Sequence, residues 1–216
     1  MNLVRHIEKR LENAMEGLAG KMFKGQLHPV ELASRMIREA DLAVTQGPAG
    51  PEAPNEFEIR IAPDLLTDEL PGRYLQELAR AAEDMAIERG WRLAGPVRVK
   101  LIEDPNLSSG ITCTVSTVPG DLKSWARLTG SDGVFELRFN RLLVGRSEDC
   151  DVRISQSSVS RNHARFWRDG SGVWVEDLHS SNGTSVNGTP ITQTTLVADG
   201  SVVSFGPSAY TLRLIA

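Results

Sequence analysis

The spacing of apolar residues changes near residue 124, and this change limits the folds that the chain can adopt. Before it, apolar residues recur every three or four positions over long stretches, a spacing typical of amphipathic helices. After it, apolar and polar residues alternate in short runs, which is typical of half-buried strands. A chain of 216 residues can hold two domains. We therefore predict two domains, residues 1–118 and 124–216, joined by a short linker over residues 119–123.

Two helices are predicted at the start of the chain. An apolar stripe over the first 23 residues predicts the first helix, and Pro29 suits the first turn of the second. The segment that follows, residues 45–56, is rich in proline and glycine and predicts a loop. The stripe of the first helix consists of Val4, Ile7, Leu11, Met15, Leu18 and Met22.

The rest of the N-terminal half combines strands with one more helix. Alternation over residues 56–62 predicts a strand, and a helix is predicted from Pro71 to Gly90. Two further strands are predicted over residues 96–102 and 111–118. The predicted order α-α-β-α-β-β defines an α+β domain.

Residues 124–216 predict an all-β domain. Short segments of alternating apolar and polar residues are separated by turn-forming dipeptides, a pattern typical of a β-sandwich. The strand segments are WARLTG, GVFELRF, RLLVG, CDVRI, HARFWRD, GVWVEDL, SVVSFG and AYTLRLI. The turn dipeptides are Asp132-Gly133, Asp169-Gly170, Asn182-Gly183, Asn187-Gly188 and Asp199-Gly200.

The composition predicts a cytoplasmic protein without membrane insertion. No apolar run reaches the roughly 18 residues that a transmembrane helix needs. The N-terminus carries charges throughout and is not that of a signal peptide. Cys113 and Cys150 fit neither a disulfide framework nor a C-x-x-C motif, so we expect reduced thiols.

The net charge of −4 comes from the first 120 residues, which hold 14 basic and 18 acidic side chains. This balance is unfavourable for nucleic acid, which requires a basic surface. Residues 121–216 hold ten basic and ten acidic side chains, and nine of the basic ones are arginine. Because the planar guanidinium forms two-pronged hydrogen bonds to oxyanions, this half is suited to an anionic ligand.

Polar side chains in the C-terminal half raise the question of catalysis or metal binding. Ser160, His163 and Asp177 have the residue types of a hydrolase triad, but no G-x-S-x-G motif accompanies them. A metal site would use Cys150, Asp151, His163 and His179, and their spacing matches no zinc pattern. We therefore expect no catalytic residue, no metal and no cofactor.

Phosphate recognition is the third possibility for these side chains, and it needs no nucleophile. Arg146 ends a predicted strand, Ser160 and Arg161 lie in the next loop, and Ser181 and Asn182 occupy another. Loops gather at the ends of a β-sandwich, so these donors can converge on one anion. A forked guanidinium, hydroxyls and backbone N–H groups are the donors that a phosphate dianion requires.

The stretches LLVGRSEDCDVRISQSSVSRNHARF and DLHSSNGTSVNG resemble the forkhead-associated (FHA) domain. The signature of that family is G-R, then S-x-x-H, then S/T-x-N-G-T or a close variant, then N-G, and every element is present. The resemblance implies a β-sandwich of about eleven strands. It also implies that the domain binds phosphothreonine peptides and catalyses no reaction.

The resemblance assigns a role in binding to five residues. Arg146 would pair with the phosphate, Ser160 would donate its hydroxyl, and Arg161 and Ser181 would supply further donors. Asn182 would hydrogen-bond the peptide backbone beside the phosphothreonine and so fix its register.

Other signature residues are implied to shape the site. Ser158 lies where the family tunes its preference for the third residue after the phosphothreonine. His163 corresponds to a buried histidine that supports the loops. Turn formation is expected of Gly145, Gly183, Asn187 and Gly188.

The N-terminal half is similar to the N-terminal domain of actinobacterial FhaA proteins in the stretches LVRHIEKRLENAMEGLAGKMFKGQLHPVELASRMIREAD and NEFEIRIAPDL. This resemblance implies Ser/Thr-kinase signalling around cell-wall synthesis or division. The implied partner is a phosphorylated kinase or the kinase-like domain of a cell-wall membrane protein. We therefore expect a non-enzymatic adaptor that such a partner recruits to the membrane. The alternatives are an oligomeric scaffold that self-associates through the N-terminal domain, and a Ser/His hydrolase.

Overall fold

The computed structural model describes residues 29–65, 72–169 and 171–215, and their contacts define two compact units. The first unit contains the described residues up to 45, together with 53–89 and 93–120. The second contains residues 46–52, 90–92 and those from 121 onward. Two short segments that the predicted boundaries place in the N-terminal domain thus belong to the second unit.

The helices and strands follow one another in two series. Up to residue 116 the elements are α1 (Pro29–Ala43), β1 (Thr45–Gly47), β2 (Gly50–Ala53), β3 (Glu56–Ile61), a short 3-10 helix (Pro63–Leu65), α2 (Gly72–Glu88), β4 (Arg92–Leu93), β5 (Arg98–Glu103) and β6 (Ile111–Ser116). From residue 126 they are β7 (Ala126–Gly130), β8 (Gly133–Leu137), β9 (Arg141–Gly145), β10 (Val152–Arg153), β11 (Ala164–Asp169), β12 (Gly172–Asp177), β13 (Thr184–Val186), β14 (Thr189–Pro190), β15 (Thr195–Leu196), β16 (Val202–Phe205) and β17 (Ser208–Leu214).

The first unit is a three-stranded sheet packed against two helices. β3 is the central strand and pairs in parallel with β5 and antiparallel with β6. α2 contacts β5, α1 contacts β6, and the two helices contact each other. Phe57, Ile59 and Ile61 are buried, whereas the residues between them are more exposed. This burial confirms the half-buried strand that alternation predicts.

The core of the first unit is completed by apolar side chains of both helices. The buried ones are Leu32, Ala33, Met36 and Ala40 of α1 and Tyr74, Leu78, Ala81, Ala82, Met85 and Ala86 of α2. Their spacing of three or four residues confirms the predicted amphipathic helices after residue 29 and before Gly90. The helix predicted over the first 23 residues lies outside the described residues.

The predicted loop over residues 45–56 is wrong in part, because it contains two short strands. β1 and β2 pair with each other, and β2 also pairs with β4. Gly47 and Gly50 lie at the ends of strands of three and four residues, whereas Pro51 lies within β2. At such lengths a strand gives no alternation that could be distinguished from a loop.

Asn55 ties together distant segments of the first unit. Asn55 is 1% exposed. Its Nδ2 donates to the carbonyl oxygens of Pro96 at 3.2 Å and Val118 at 3.0 Å. Its Oδ1 accepts from the backbone N–H of Val118 at 2.9 Å. One amide therefore satisfies three main-chain groups that are distant from it in sequence.

We expect Asn55→Ala to lower the free energy of unfolding of the first unit by about 1–3 kcal/mol, because buried main-chain groups lose their partner. Urea unfolding followed by the helical circular dichroism signal measures this, since α1 and α2 both belong to the first unit. Asn106→Ala is the control, because Asn106 is exposed and bonds only locally to Asp104. Equal effects of the two substitutions would contradict the role given to Asn55.

The second unit is a β-sandwich, as predicted. One sheet has the strand order β10-β9-β11-β12-β15, and the other has the order β14-β13-β16-β17-β7-β8. Buried residues of both sheets form one core that includes Leu128, Val144, Phe166, Phe205 and Tyr210. The strands β13, β14 and β15 have three residues or fewer, and the sequence analysis missed them.

Three further properties concern the described part of the chain. Neither α1 nor α2 combines the length and the apolar composition of a membrane-spanning helix. No cluster of three histidine, cysteine or acidic side chains among these residues is arranged to hold a metal ion. Cys113 and Cys150 are buried and are not joined by a disulfide.

Candidate functional site

Three loops of the second unit line one open cleft of about 620 Å³. They follow β9, connect β10 to β11, and connect β12 to β13. The lining residues are Arg146, Ser147, Asp149, Ser157, Ser158, Val159, Ser160, Arg161, Asn162, Ser181 and Asn182. The structure thus brings together all five predicted binding residues and Ser158.

Arg146 is anchored through its backbone and through one nitrogen of its side chain. Its backbone N–H donates to the carbonyl of Ser160 at 2.9 Å, and the next N–H, of Ser147, donates to the carbonyl of Arg161 at 3.1 Å. Its Nε donates to the carbonyl of Val159 at 3.2 Å. Among the described residues, its two Nη groups have no hydrogen-bond partner. Those groups form the forked end that can bind an oxyanion.

Ser160 and Ser181 place two hydroxyl groups side by side. The backbone N–H of Ser181 donates to Ser160 Oγ at 3.0 Å, and the two Oγ atoms are 3.5 Å apart. The loops between β10 and β11 and between β12 and β13 are thereby joined at the cleft. Hydroxyls from two loops, with the guanidinium of Arg146 from a third, form a donor set suited to a tetrahedral anion.

Asn182 links the same two loops at a second point. Its Nδ2 donates to the carbonyl of Ser158 at 2.7 Å. Since Nδ2 is held there and the residue is exposed, Oδ1 is available to accept a hydrogen bond from a ligand. An amide in this position can recognise a peptide N–H group.

His163 is fully buried, with 0% exposure, and it contacts the main chain of two of the three loops. Its Nδ1 accepts from the backbone N–H of Ser160 at 3.1 Å, and its Nε2 lies 3.0 Å from the carbonyl of Gly183. Nδ1 acts as an acceptor, so the ring is neutral and its proton is on Nε2, which donates to Gly183. The contact of His163 with Ser160 involves the amide and not the hydroxyl. This is not the serine–histidine pairing of a hydrolase.

Asp177 would be the acid of a hydrolase triad, but its hydrogen bonds stabilise a turn. It accepts from the backbone N–H of Ser180 at 2.9 Å, from Ser180 Oγ and from Thr184 Oγ1, the last two at 2.6 Å. Burial alone would raise the pKa of Asp177, but these hydrogen bonds outweigh it and lower the pKa. The nearest His163 nitrogen, Nε2, is 3.9 Å from Asp177 Oδ1.

The predicted turn formers divide into two groups. Gly183, Asn187 and Gly188 have φ angles of 73°, 51° and 80°, in the left-handed region that turns use. Asn187 and Gly188 form the hairpin turn between β13 and β14. Gly145 is different, because it is the last residue of β9. A Cβ there would lie 2.2 Å from the carbonyl oxygen of Arg161, so this position requires glycine for close approach and not for a turn.

Sequence analysis missed several residues at the cleft. Ser147, Asp149 and Asn162 line it, although no motif position marks them. Cys150 lies beneath it, where its Sγ is 3.2 Å from the carbonyl of Arg161. The signal in the sequence is that Ser147 and Asn162 stand next to Arg146 and Arg161, whereas Asp149 and Cys150 lie three and four residues after Arg146.

We expect the second unit to lose stability as the pH falls from about 7 to about 5, the range in which histidine titrates. Burial lowers the pKa of His163, so the unfolded chain binds a proton at a higher pH than the folded chain does. The stability that the neutral ring contributes is present above the unfolded pKa of about 6.5 and is lost as the pH falls through the folded pKa. The stabilisation that ionised carboxylates such as Asp177 contribute to the second unit is lost at more acid pH, because an unfolded aspartate titrates near 3.9.

Urea unfolding followed by tryptophan fluorescence tests this dependence. All four tryptophans, Trp91, Trp125, Trp167 and Trp174, belong to the second unit. His163→Gln should flatten the pH dependence between 7 and 5, whereas His179→Asn should retain it. His179 is exposed and has a φ of 56°, which asparagine tolerates. A His163→Gln variant with the slope of the unmodified protein would refute the assignment.

Models of known protein families match parts of both units. A model of the FHA domain matches residues 142–206, which include the three loops of the cleft. The second unit is therefore an FHA domain. A model of the FhaA N-terminal domain matches residues 4–114, more than half of the chain. The chain belongs to the FhaA family of FHA-domain proteins.

Two curated relatives come from Mycobacterium tuberculosis. The FHA domain-containing protein FhaA is 36% identical over 85 residues, which are 39% of this chain and 16% of FhaA. The FHA domain-containing protein FhaB is 36% identical over 72 residues, which are 33% of this chain and 46% of FhaB. The chain thus matches less than half the length of either relative.

Two solved structures are similar to part of this chain. One comes from a structural and functional analysis of phosphothreonine-dependent FHA domain interactions. It is 33% identical, covers 43% of this chain and 99% of that one, and has a TM-score of 0.40. The other is the FhaA FHA domain in complex with the intracellular domain of Rv3910. It is 34% identical, covers 42% of this chain and 100% of that one, and has a TM-score of 0.38.

Proposed function

We propose that the chain is a non-enzymatic adaptor whose FHA domain binds phosphothreonine segments of partner proteins. The observation that carries this proposal is the convergence of Arg146, Ser160 and Ser181 from three loops on one open cleft. A guanidinium and two hydroxyls supply charge and hydrogen bonds to a phosphate dianion.

Arg161 supports an anionic ligand at the same place. It lines the cleft beside Ser160 and is exposed. Its main chain is fixed, because its carbonyl accepts from the N–H of Ser147. A second guanidinium at the rim attracts a doubly charged phosphate more strongly than a single one does.

A peptide fits the cleft better than free phosphate does. The cleft extends beyond the phosphate donors to Ser158 and Asn182. Asn182 is oriented by its bond to Ser158 and can accept from a peptide N–H beside the phosphothreonine. Ser158 would then contact a later residue of the peptide and take part in selecting it. The signature and the strands β7–β17 also support the proposal that this domain is the eleven-stranded sandwich of its family.

The relatives suggest the kind of partner. The FhaA FHA domain has been crystallised with the intracellular domain of Rv3910. By analogy, the partner of this chain would be the phosphorylated intracellular part of a protein in Ser/Thr-kinase signalling, linked to cell-wall synthesis or division. A cytoplasmic location agrees with the two unpaired cysteines. The first unit would supply a second interaction, and the alternative is that the chain self-associates through this unit.

Calorimetric titration of the full chain tests the proposed function. A phosphothreonine-oriented peptide library first selects a binding sequence, and that sequence is then compared with its phosphoserine and unmodified forms. We expect binding of the phosphothreonine form, negligible binding of the unmodified form, and affinity that falls as the salt concentration rises. Equal affinity for the phosphothreonine and threonine peptides would overturn the proposal.

A further inference from the structure

The second unit contains two segments that lie far from its sandwich in sequence, residues 46–52 and 90–92. Both lie outside residues 142–206, which match the FHA domain. We call these two segments the brace. Their contacts converge on β9 and on the loop over residues 146–151, which carries Arg146.

Arg92 makes the main contact of the brace. Its Nη1 and Nη2 each lie 2.6 Å from a different carboxylate oxygen of Asp151, which is the two-pronged geometry of a strong ion pair. The side chains are only 13% and 14% exposed. The guanidinium carbon lies 3.8 Å from the ring centre of Phe139, and Nη1 also donates to the carbonyl of Arg141 at 3.2 Å. Arg92 is therefore held by several partners and not by one surface charge.

Asp151 closes the base of the loop. The oxygen that accepts from Arg92 Nη1 also accepts from the backbone N–H of Leu143 at 2.8 Å. Leu143 lies in β9, the strand before the loop. Asp151 is the last residue of the loop and immediately precedes β10. One carboxylate therefore joins the two ends of the loop, and Arg92 fixes that carboxylate.

The other segment of the brace contacts the same loop through Ala49. Ala49 is buried against Leu143 and Cys150, and its carbonyl accepts from Arg141 Nε at 3.0 Å. Cys150 in turn donates to the carbonyl of Arg161, which also accepts from the N–H of Ser147. A continuous set of contacts thus leads from Ala49 to the main chain at the cleft.

We propose that Arg92 is a positioning residue for phosphopeptide binding, and that the brace holds the loop over residues 146–151 in the conformation that receives the phosphate. This rests on the proposed function. Apparent affinity falls in proportion to the fraction of molecules with a competent loop. If loss of Arg92 reduces that fraction to about one tenth, the apparent Kd rises about tenfold. Residues outside the matched FHA region would then set the affinity of the FHA domain.

The test uses the full chain and the phosphothreonine peptide chosen from the library. Arg92→Gln should raise the Kd by about 5- to 10-fold. Asp151→Asn should also raise it, though less, because its remaining oxygen can still accept from Leu143. The double variant should be no weaker than Arg92→Gln, since both changes remove one interaction. Arg127→Gln is the matched control, because it breaks only the exposed pair of Arg127 with Glu136 and should leave the Kd unchanged.

Hydrogen exchange separates positioning from general stability. In Arg92→Gln, the amides of Arg146, Ser147 and Cys150 should exchange faster, while those of β16 and β17 should keep their protection. Unchanged Kd and unchanged exchange in the loop would overturn the proposal. Uniformly faster exchange throughout the sandwich would overturn it too, because Arg92 would then be only a stabilising residue. If the unmodified chain bound no phosphopeptide, the proposed function would fail, and the exchange of the loop would still decide whether Arg92 positions it.

Discussion

Arg146→Ala should weaken phosphothreonine-peptide binding by roughly 10- to 100-fold. Each charge-assisted hydrogen bond to phosphate contributes about 1.5–3 kcal/mol, and 1.4 kcal/mol corresponds to a factor of ten in Kd. Among the described residues, only the Nε of this side chain has a partner within the protein. Arg146→Ala therefore removes both Nη groups from the ligand and one partly buried hydrogen bond from the protein. Titration calorimetry with the peptide selected for the full chain measures the change, and the unfolding midpoint should stay close to that of the unmodified protein.

Two further substitutions define what Arg146 contributes. Arg146→Lys should not restore full affinity, because an ammonium group cannot make the forked contact. Arg153→Ala is the control, since Arg153 is exposed and pairs with Glu148 outside the cleft. A loss of affinity in Arg153→Ala equal to that in Arg146→Ala would show that general positive charge, and not a defined phosphate site, accounts for binding.

Asn182→Ala tests the peptide side of the same site. It should weaken binding through the lost contact to the peptide backbone and the lost bond to Ser158. Its effect should persist at high salt better than that of Arg146→Ala, because a neutral hydrogen bond is screened less than a charge. If only the Arg146 variant lost affinity, an unspecific anion patch would be the better account.

Gly145→Ala should have the second large effect, on both binding and stability. The added Cβ would lie 2.2 Å from the carbonyl oxygen of Arg161 and 3.0 Å from Cys150 Sγ. That carbonyl is main chain and accepts from the N–H of Ser147, so it cannot move without breaking this bond. We expect a loss of about 1–3 kcal/mol in the stability of the second unit, as for other overpacked sites. Phosphopeptide affinity should fall about tenfold or more, because Arg146 is the next residue.

Tryptophan-monitored unfolding and calorimetry on the same preparation measure both effects of Gly145→Ala. Gly72→Ala provides the control, since a Cβ there has no heavy atom within 4 Å. It lies at the start of α2, where alanine is favourable. A Gly145→Ala protein with unmodified stability and affinity would mean that the loop can relax around the added methyl group.

The periodicity of the sequence determined most of the fold by itself. Phe57, Ile59 and Ile61 alternate with charged residues, and the structure buries them on one side of β3. Burial on one side of a strand or helix repeats with the geometry of the backbone, so a local pattern is enough to reveal it. Strands of two or three residues, such as β13 and β14, are too short to show such a repeat.

The sequence also indicated the residues that we propose bind the phosphopeptide, because their chemistry is a property of residue type. Arg146, Ser160 and Asn182 supply donors and acceptors that suit a phosphorylated peptide. The left-handed turn at Asn187 and Gly188 was likewise predictable, since few residue types adopt that conformation. The fold class also predicted that the three loops converge, but the distances between their donors come only from the structure.

Only the tertiary structure decided which distant residues support that cleft. Arg92 and Asp151 are 59 residues apart in sequence, and neither belongs to a motif. The requirement for glycine at position 145 arises from the main chain of Arg161, not from a turn. Ala49 lies in a segment whose composition predicts a loop, yet it packs beneath the loop that carries Arg146. Ion pairs, close approaches and packing of this kind depend on which segments meet in space, and no local pattern of residues encodes that.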